Sequence, residues 1–584
     1  MSLKNWLLSL VWTEKERKIS GLSTKTIGAI LEENAKKYGN QTAVMYSDEN
    51  IRYSWRQLNR LADEAAKGFL AIDVKAGDHI AMWGTNRPEW LITQFAAAKI
   101  GAALVAMNPE WKTEDLEYAL KQSDSKILVM QRGFTKESGG KNFSYDYVTT
   151  LQKISLEIKK ADPENLKLKK LPALKCVILV SKEKEKGMLK WDVLLSKADS
   201  VNEKDYIRHK KSVSPYAAAL VQYTSGTTGF PKGAMLSQYG IVNNAFSCAK
   251  NIKLTSKDLI CGPIPYCHIF CSATLNICCL VTGAVMVVPA EHFNARKTLE
   301  AIEKERCTVI YGVPTMFISQ LADPEFLRFN LSSLRTGIMA GAPCPIELMK
   351  DVVCRMGVKK MTIAYGLTEA SPMTHQTDTD DLIERRTSTV GKPLQNTEAK
   401  IVDPQTFKEL GANETGEIWV RGYHVMLGYY NNPGETEKTI IDGWLRTGDL
   451  GIKDTNGYYK IVGRLKEMFI VGGHNVYPAE IEQALRSNFE NEIEDVYVFG
   501  VPHQTLQEIG AAAIKLKSSK SLTEEEIKSK CADLLEWPKI PKYIKFVNDF
   551  TNVMTPTGKI QRKKLKEIFV KELGLEELEK IKTA

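Results

Sequence analysis

The chain has 584 residues, more than one hydrophobic core usually supports, so two or more domains are expected. The net charge of +9, from 79 basic and 70 acidic residues, is a mild excess that argues against a nucleic-acid partner and fits anionic substrates. Eleven cysteines cannot all pair within one chain and make no disulfide framework, which indicates a reducing cytoplasm.

The N-terminal stretch "MSLKNWLLSLVW" is apolar, but "TEKERK" follows it where a signal peptide would place a cleavage site. We therefore expect a docked or frayed helix and a cytoplasmic protein. Peripheral contact with a membrane and a homodimer are both left open by the sequence.

The first part of the chain alternates strand-like and helix-like segments. "TAVMYS" and "HIAMWG" are typical of strands, and a capping box of Ser54 and Gln57 opens a helix between them. "RPEWLITQFAAAKIG" predicts the next helix and "AALVAMNP" the next strand. This repetition predicts an α/β sheet covered on both faces. The Lys-rich stretch Thr135–Lys190 is expected to be irregular surface apart from the strand "CVILVS".

The stretch from Leu259 to Ala290 contains no Asp, Glu, Lys or Arg, yet carries five cysteines and one histidine. Its length would permit a membrane span, as in a transporter or an acyl-binding membrane protein, but Pro263, Pro265 and Pro289 interrupt it. A metal site is the other alternative to the inside of a soluble enzyme.

That metal site would use Cys267, His268 and Cys271. "CHIFC" lacks a convincing second pair of ligands, and the haem attachment pattern CxxCH is absent from the sequence. The spacing therefore argues against a metalloprotein.

Short strands and glycine-containing turns characterise the chain from about Lys392 to Ile461, which predicts a small β-rich subdomain. After Arg464 a compact α/β segment is expected, with a helix opening at Pro478 and a capping box of Thr523 and Glu526.

The stretch "YTSGTTGFPKGA" from Tyr223 to Ala234 is suited to binding phosphates. Its glycines let backbone N–H groups approach an anion, its hydroxyls add donors, and it holds one cation. It is not a Walker A loop, because Gly233 follows Lys232 where Ser or Thr would be required. The candidate nucleotide-binding residues in this stretch are Thr224, Ser225, Gly226, Thr227, Thr228, Gly229 and Lys232.

Further motifs follow in order along the chain: "YGLTEASP", "GEIWVRG", "DGWLRTGDLG" with "GRLKEMFIVGGHNVYPAEIE", and "TPTGKIQR". Together with the glycine-rich stretch they make the chain resemble the adenylate-forming superfamily over nearly its full length. Within that superfamily it is most similar to acyl-CoA synthetases of the medium-chain and general fatty-acid type.

The resemblance implies a large N-terminal domain, residues 1–463, of two α/β sheet layers plus a distorted β-barrel subdomain at about 375–463. It also implies a small, mobile α/β C-terminal domain, residues 464–584. In the family this domain swings about a hinge residue that aligns with Lys466.

The implied reaction joins a carboxylic acid to coenzyme A with ATP and Mg²⁺. The carboxylate, already ionised at pH 7, attacks the α-phosphorus of ATP to give acyl-AMP and pyrophosphate, and a thiol then displaces AMP. The first step requires charge neutralisation and in-line positioning rather than a protein nucleophile. The expected partners are therefore a small carboxylic acid, ATP and coenzyme A.

The family pattern assigns roles to individual residues. Lys559 would reach the carboxylate and α-phosphate, Glu369 would hold Mg²⁺ together with Thr224, and Thr368 would bond the α-phosphate. Adenine would pack on Tyr365 beside Gly366, and Asp449 and Arg464 would bind the ribose. Gly472 and Gly473 would admit the pantetheine arm, although a plain hairpin turn is an open alternative for both.

The same pattern places one wall of the acyl pocket in the charge-free run, which then becomes strand, turn, buried helix and strand. Its cysteines would serve as small apolar fillers. His268 would lie beside the acyl and thiol sites, with a hydrogen-bonded core histidine as the alternative. The pocket residues expected from the pattern are His268, Ile269, Val313, Met316, Ala340, Gly341 and Ala342.

These mostly apolar positions favour a medium- or long-chain fatty acid, including a cyclic one. Three alternatives remain: a ligase that stops at the acyl-adenylate, one that loads a carrier protein, and one for aryl or short-chain acids. No carrier domain is fused in this sequence, so coenzyme A is the expected acceptor.

Overall fold

The structure is a computed structural model that describes residues 21–138, 141–224, 231–554 and 560–578. Five of the predicted phosphate-loop residues, Ser225, Gly226, Thr227, Thr228 and Gly229, lie outside the described residues, as does Lys559.

The strands are β1 Thr42–Tyr46, β2 Ile51–Ser54, β3 His79–Trp83, β4 Ala103–Met107, β5 Ile127–Gln131, β6 Gly133–Ser138, β7 Lys141–Asp146, β8 Cys176–Val180, β9 Leu189–Lys190, β10 Ala218–Thr224, β11 Lys232–Ser237, β12 Leu259–Cys261, β13 Val285–Val288, β14 Val309–Gly312, β15 Thr336–Ala340, β16 Lys360–Gly366, β17 Met373–Gln376, β18 Lys392–Pro393, β19 Thr397–Val402, β20 Thr415–Gly422, β21 Gly428–Tyr429, β22 Ile440–Ile441, β23 Trp444–Lys453, β24 Tyr459–Arg464, β25 Phe469–Val471, β26 His474–Val476, β27 Ile493–His503, β28 Gln507–Leu516 and β29 Tyr543–Phe546.

The α-helices are α1 Ile27–Tyr38, α2 Trp55–Ala71, α3 Pro88–Ile100, α4 Thr113–Gln122, α5 Tyr147–Ile154, α6 Trp191–Ser196, α7 Glu203–Ser212, α8 Gln238–Asn251, α9 Asn276–Thr282, α10 Ala295–Glu305, α11 Pro314–Leu321, α12 Ile346–Arg355, α13 Ile383–Ser388, α14 Pro433–Thr439, α15 Pro478–Asn488, α16 Glu524–Leu534 and α17 Arg562–Glu572.

Two large sheets, largely parallel in their centres, carry the N-terminal part. Within the described residues the first has nine strands in the order β18-β17-β16-β15-β14-β12-β13-β1-β2, and the second has eight in the order β21-β11-β10-β4-β3-β5-β8-β9. In both sheets antiparallel strands stand at an edge, as in β16-β17-β18 and β10-β11-β21. The predicted α/β class with two sheet layers is confirmed.

Helix α3 explains how the first two sheets share a core. Every residue of α3 except Glu89 is buried, and the helix packs on β3 and β4 of the second sheet. The ring of Trp90 stacks on Tyr266, 5.1 Å away between centroids, in the charge-free run that joins two strands of the first sheet. A helix whose residues are mostly apolar on all sides is expected at such a buried position, and the buried Lys99 of α3 has acidic partners.

Two further sheets follow. Strands β19-β20-β23-β22, with β24 beside β23, form the curled sheet that corresponds to the predicted distorted barrel. Strands β26-β25-β28-β27, with β29 beside β28, form a sheet against which α15 and α17 pack. The capping boxes predicted at Ser54 and at Thr523 are both present.

By its internal contacts the chain divides into two compact units. The first comprises Met1–Ala399 and Val420–Leu445, and the second comprises Lys400–Trp419 and Arg446–Ala584.

The expectation for Thr135–Lys190 is wrong. Strands β6 and β7 form a hairpin, and α5 follows it. Tyr147, Leu151 and Leu166 belong to the hydrophobic core of the second sheet, and the Tyr147 ring stacks on Trp83 at 3.6 Å between centroids. Buried apolar side chains alternate with the lysines of this stretch, so the number of lysines alone did not indicate how much of the stretch is buried.

Candidate active site

The glycine-rich stretch joins two hydrogen-bonded strands. Thr224 ends β10 and Lys232 begins β11, and the antiparallel register places the two residues opposite each other. The predicted loop between them is therefore held at both ends by the second sheet.

The Lys232 side chain is largely buried and has a carboxylate partner. Its ammonium group forms an ion pair with Glu435, in the first turn of α14, and lies 5.2 Å from the ring centroid of Tyr429. Hydrogen bonds from Lys232 and from Lys438 lower the pKa of Glu435 to about 2. The cation is thus fixed in place by an acidic and an aromatic side chain.

Glu369 and Thr368 lie in a short helical turn, Thr368–Ala370, directly after β16. The turn packs against β11. The hydroxyl of Tyr429 donates to Glu369 Oε1 at 2.7 Å, and the backbone N–H of Met426 donates to the Glu369 carbonyl at 2.8 Å. One segment, residues 426–435, therefore contacts both Glu369 and Lys232.

The donor atoms suit magnesium. Mg²⁺ prefers hard oxygen ligands, commonly one or two from protein side chains with the rest from water and phosphates. Glu369 offers a carboxylate and Thr224 a hydroxyl, so the two residues fit that ion.

Tyr365 and Gly366 end strand β16. The Tyr365 ring is half-buried and lies 5.8 Å from the ring of His375 on the paired strand β17. A Cβ on Gly366 would lie 2.0 Å from the Pro372 carbonyl oxygen, so this position excludes any side chain.

Asp449 and Arg464 are brought together across β23 and β24. They are register partners, and Arg464 Nε donates to Asp449 Oδ1 at 2.7 Å. The Asp449 side chain is 7% exposed and that of Arg464 56% exposed. A buried carboxylate beside an accessible guanidinium is a suitable arrangement for holding neighbouring hydroxyl groups.

Glu417 was not assigned a role from the sequence, although it belongs to the motif "GEIWVRG". Its carboxylate accepts from the Gly448 backbone N–H at 3.0 Å and from Arg446 at 3.0 Å. Thr447 Oγ1 accepts from the Asp449 N–H at 3.1 Å. Glu417 therefore fixes the part of strand β23 that presents Asp449, a relation between distant residues that no local pattern reveals.

The charge-free run folds as predicted in outline, with strand, turn, helix and strand. The helix begins with a π-helical turn, Phe270–Leu275, before α9, and such turns are frequent at functional sites. Gln222 of β10 donates to the Cys267 carbonyl at 2.6 Å, which ties the turn before His268 to the strand that carries Thr224. His268 is half-buried, and its Nδ1 accepts from the Phe270 N–H at 3.2 Å.

The predicted pocket residues differ in exposure. Ile269, Met316 and Ala340 are buried, Val313 is half-buried, and Gly341 and Ala342 are exposed. A Cβ on Gly341 would lie 3.2 Å from Val313 Cγ1, so these two residues are neighbours. Their role as an acyl pocket stays a prediction.

Gly472 and Gly473 form the two-residue turn of a hairpin between β25 and β26, with φ of +56° and +88°. Positive φ at both positions is the turn type that favours glycine. The two glycines form a hairpin turn, with open space where a Gly473 side chain would begin, and their role beside the pantetheine arm stays a prediction. Lys466 is exposed in the turn after β24.

The metal alternative finds no support in the described part of the chain. No group of three or more His, Cys, Asp or Glu side chains there could hold a metal ion. All eleven cysteines are free thiols, and burial raises the pKa of Cys267 to about 12.

Among the helices of the described residues, none is long and apolar enough to cross a membrane.

Comparisons with known proteins identify the family to which the chain is similar. The family model "AMP-binding enzyme" matches residues 31–430, and "AMP-binding enzyme C-terminal domain" matches residues 480–559. YngI of Bacillus subtilis (strain 168), provisionally named an acyl-CoA synthetase, is 44% identical over 93% of this chain and 96% of its own. The medium-chain acyl-CoA ligase ACSF2 of Bos taurus, a mitochondrial protein, is 38% identical over 95% of this chain and 89% of its own.

A solved structure shows the same fold. The anthranilate CoA ligase AuaEII, in complex with anthranoyl-AMP, superposes with a TM-score of 0.79 at 25% identity, covering 93% of this chain and 97% of that one.

Proposed function

Because the chain belongs to the AMP-binding enzyme family, we propose that it is an ATP-dependent acid–thiol ligase that converts a medium- or long-chain fatty acid into its coenzyme A thioester. In the first half-reaction the carboxylate oxygen bonds to the α-phosphorus of ATP and pyrophosphate leaves. In the second, the thiol sulfur bonds to the acyl carbon, AMP leaves, and the thiol proton is released.

The observation that carries this proposal is the convergence of Lys232 and Glu369 on one residue, Tyr429. A cation and a carboxylate from motifs far apart in sequence are held in one place, as a metal-bound triphosphate requires. Magnesium bound by Glu369 and Thr224 would neutralise phosphate charge. Lys232 would hold the β- and γ-phosphates, and Thr368 the α-phosphate.

Other roles follow the family pattern. Asp449 and Arg464 would bind the ribose hydroxyls, with the pair already formed at 2.7 Å. Lys559 would neutralise charge at the α-phosphate during adenylation. For thiolation we propose that the C-terminal domain, residues 464–584, turns about Lys466 and presents Gly473 to the pantetheine arm.

A fatty acid is supported by the apolar lining and by the relatives. Ile269 directly follows His268, Ala340 ends strand β15, and Met316 lies on helix α11; all three are buried apolar positions. ACSF2 is named a medium-chain acyl-CoA ligase.

We propose that the reaction takes place in a reducing compartment, the cytoplasm, because the cysteines are free and mostly buried.

A panel of carboxylic acids, varied in chain length and ring content, tests the proposal. Each acid is incubated with ATP, magnesium and coenzyme A, and AMP and thioester are both quantified. We expect the highest kcat/KM for medium-chain aliphatic acids, with AMP and thioester formed in equal amounts. Acyl-AMP that accumulates with coenzyme A present would favour the adenylate-only alternative, and a clear preference for aryl acids would overturn the fatty-acid assignment.

A further inference from the structure

Tyr429 connects the two groups of the nucleotide site that carry opposite charge. Its hydroxyl donates to Glu369 Oε1 at 2.7 Å, and its ring lies 5.2 Å from the Lys232 ammonium group. The residue is 6% exposed. All three residues belong to the first compact unit.

The backbone around Tyr429 is fixed on both sides. Strand β21 pairs with β11, so that Tyr429 faces Ala234, two residues after Lys232. The Tyr429 N–H donates to Thr436 Oγ1 at 2.9 Å, and the Tyr430 N–H donates to the Gly233 carbonyl at 2.8 Å. The ring therefore has little freedom to leave either neighbour.

The chemistry of the contact makes Tyr429 a donor. A tyrosine phenol is protonated at neutral pH, and the Tyr429 hydroxyl lies within hydrogen-bond distance of Glu369 Oε1. A hydroxyl that donates to one carboxylate oxygen orients the other oxygen and its lone pairs. A neighbouring donor of this kind commonly sets the direction of a metal-ligating carboxylate.

We propose that Tyr429 is a positioning residue of the nucleotide site: its hydroxyl orients the Glu369 carboxylate toward Mg²⁺, and its ring holds Lys232 beside the phosphates. The proposal deepens the function proposed above and rests on its assignment of Glu369 as a metal ligand. Tyr429 itself would touch neither the metal nor ATP.

Tyr429→Phe isolates the hydroxyl, because the ring and its contact with Lys232 remain. The probe is Mn²⁺, which prefers the same oxygen ligands as Mg²⁺ and is followed by electron paramagnetic resonance in the presence of ATP. We expect the apparent Kd for Mn²⁺ to rise about tenfold, because the variant loses one charge-assisted hydrogen bond. The magnesium concentration for half-maximal activity should rise with it, while KM for the fatty acid stays unchanged.

The matched control is Tyr430→Phe. The adjacent tyrosine donates its hydroxyl to Asp124 at 3.2 Å, away from Glu369, and should leave Mn²⁺ binding unchanged. In a Glu369→Gln background the effect of Tyr429→Phe should disappear, since the two residues act through one contact.

Two results would overturn the proposal. One is a Tyr429→Phe protein that binds Mn²⁺ as the wild type does. The other is a Tyr429→Phe protein that fails to fold, which would assign the residue to stability alone. Failure of the proposed function itself would be separate: the wild type would then bind Mn²⁺ and ATP but form no thioester from any acid.

Discussion

At the scale of single residues, the pair of Asp449 and Arg464 provides a sharp prediction. Asp449→Asn keeps the volume but removes the charge, and a hydrogen bond to a charged group contributes about 1.5–3 kcal/mol. We expect KM for ATP to rise by about 10- to 150-fold. Glu398→Gln is the control, because Glu398 forms a comparable pair with Arg421 at 2.7 Å on an accessible surface. An unchanged KM in Asp449→Asn would remove Asp449 from the ribose site.

Lys559 belongs to the same scale, although it lies outside the described residues. Lys559→Ala should abolish acid-dependent exchange between ATP and pyrophosphate, because the cation that neutralises charge at the α-phosphate would be missing. Thiolation of preformed acyl-adenylate should be largely spared. Lys563→Ala, an exposed position on α17, serves as the control. Equal loss of both half-reactions would contradict the role of Lys559.

At the scale of elements, three helices meet at a buried cation. Lys99 of α3 is fully buried and donates to Asp63 and Asn59 of α2, at 2.7 and 2.8 Å, and to Glu32 of α1 at 3.3 Å. Breaking one partner of such a network leaves uncompensated charge and typically costs 3–5 kcal/mol.

Lys99→Ala should therefore lower the free energy of unfolding by about 3–5 kcal/mol, measured by chemical denaturation. Lys75→Ala, which breaks an exposed pair with Asp73, should change it far less. A loss in Lys99→Ala no larger than in the control would show that the ion network contributes no stability.

Elements were predictable where their causes are local. The capping boxes at Ser54 and Thr523 depend on residues three positions apart, and both are present as expected. The expectation of an irregular surface at Thr135–Lys190 was wrong, because the burial of Tyr147 and Leu151 depends on a strand that lies far away in sequence. The same applies to Glu369 and Tyr429, 60 residues apart, whose contact no spacing reveals.

At the scale of the whole molecule, two buried histidines link stability to pH. Burial lowers the pKa of His424 to about 3, and burial together with the neighbouring His424 does the same for His375. Neither ring nitrogen of His424 has a hydrogen-bond partner within the described chain. Both side chains are fully buried.

The unfolded chain binds protons at these histidines below their ordinary pKa of 6.5, whereas the folded chain does not until about 3. The contribution of these two histidines to the free energy of unfolding is therefore fully present above pH 6.5 and is lost as the pH drops from there toward 3. We expect the urea midpoint to decrease between pH 7 and 5, and the decrease to be smaller in His424→Gln. His209→Gln, an exposed position on α7, should leave the profile unchanged. A flat wild-type profile over this range would contradict the assignment of neutral buried histidines.

The central claim is that one chain makes an acyl-adenylate and then a thioester. Exchange of labelled pyrophosphate into ATP, measured without coenzyme A, tests it most directly, because exchange requires reversible adenylation of the acid. We expect exchange that depends on a fatty acid and on magnesium, and AMP with one equivalent of thioester once coenzyme A is added. Exchange without any acid, or ADP and phosphate as the products, would contradict it.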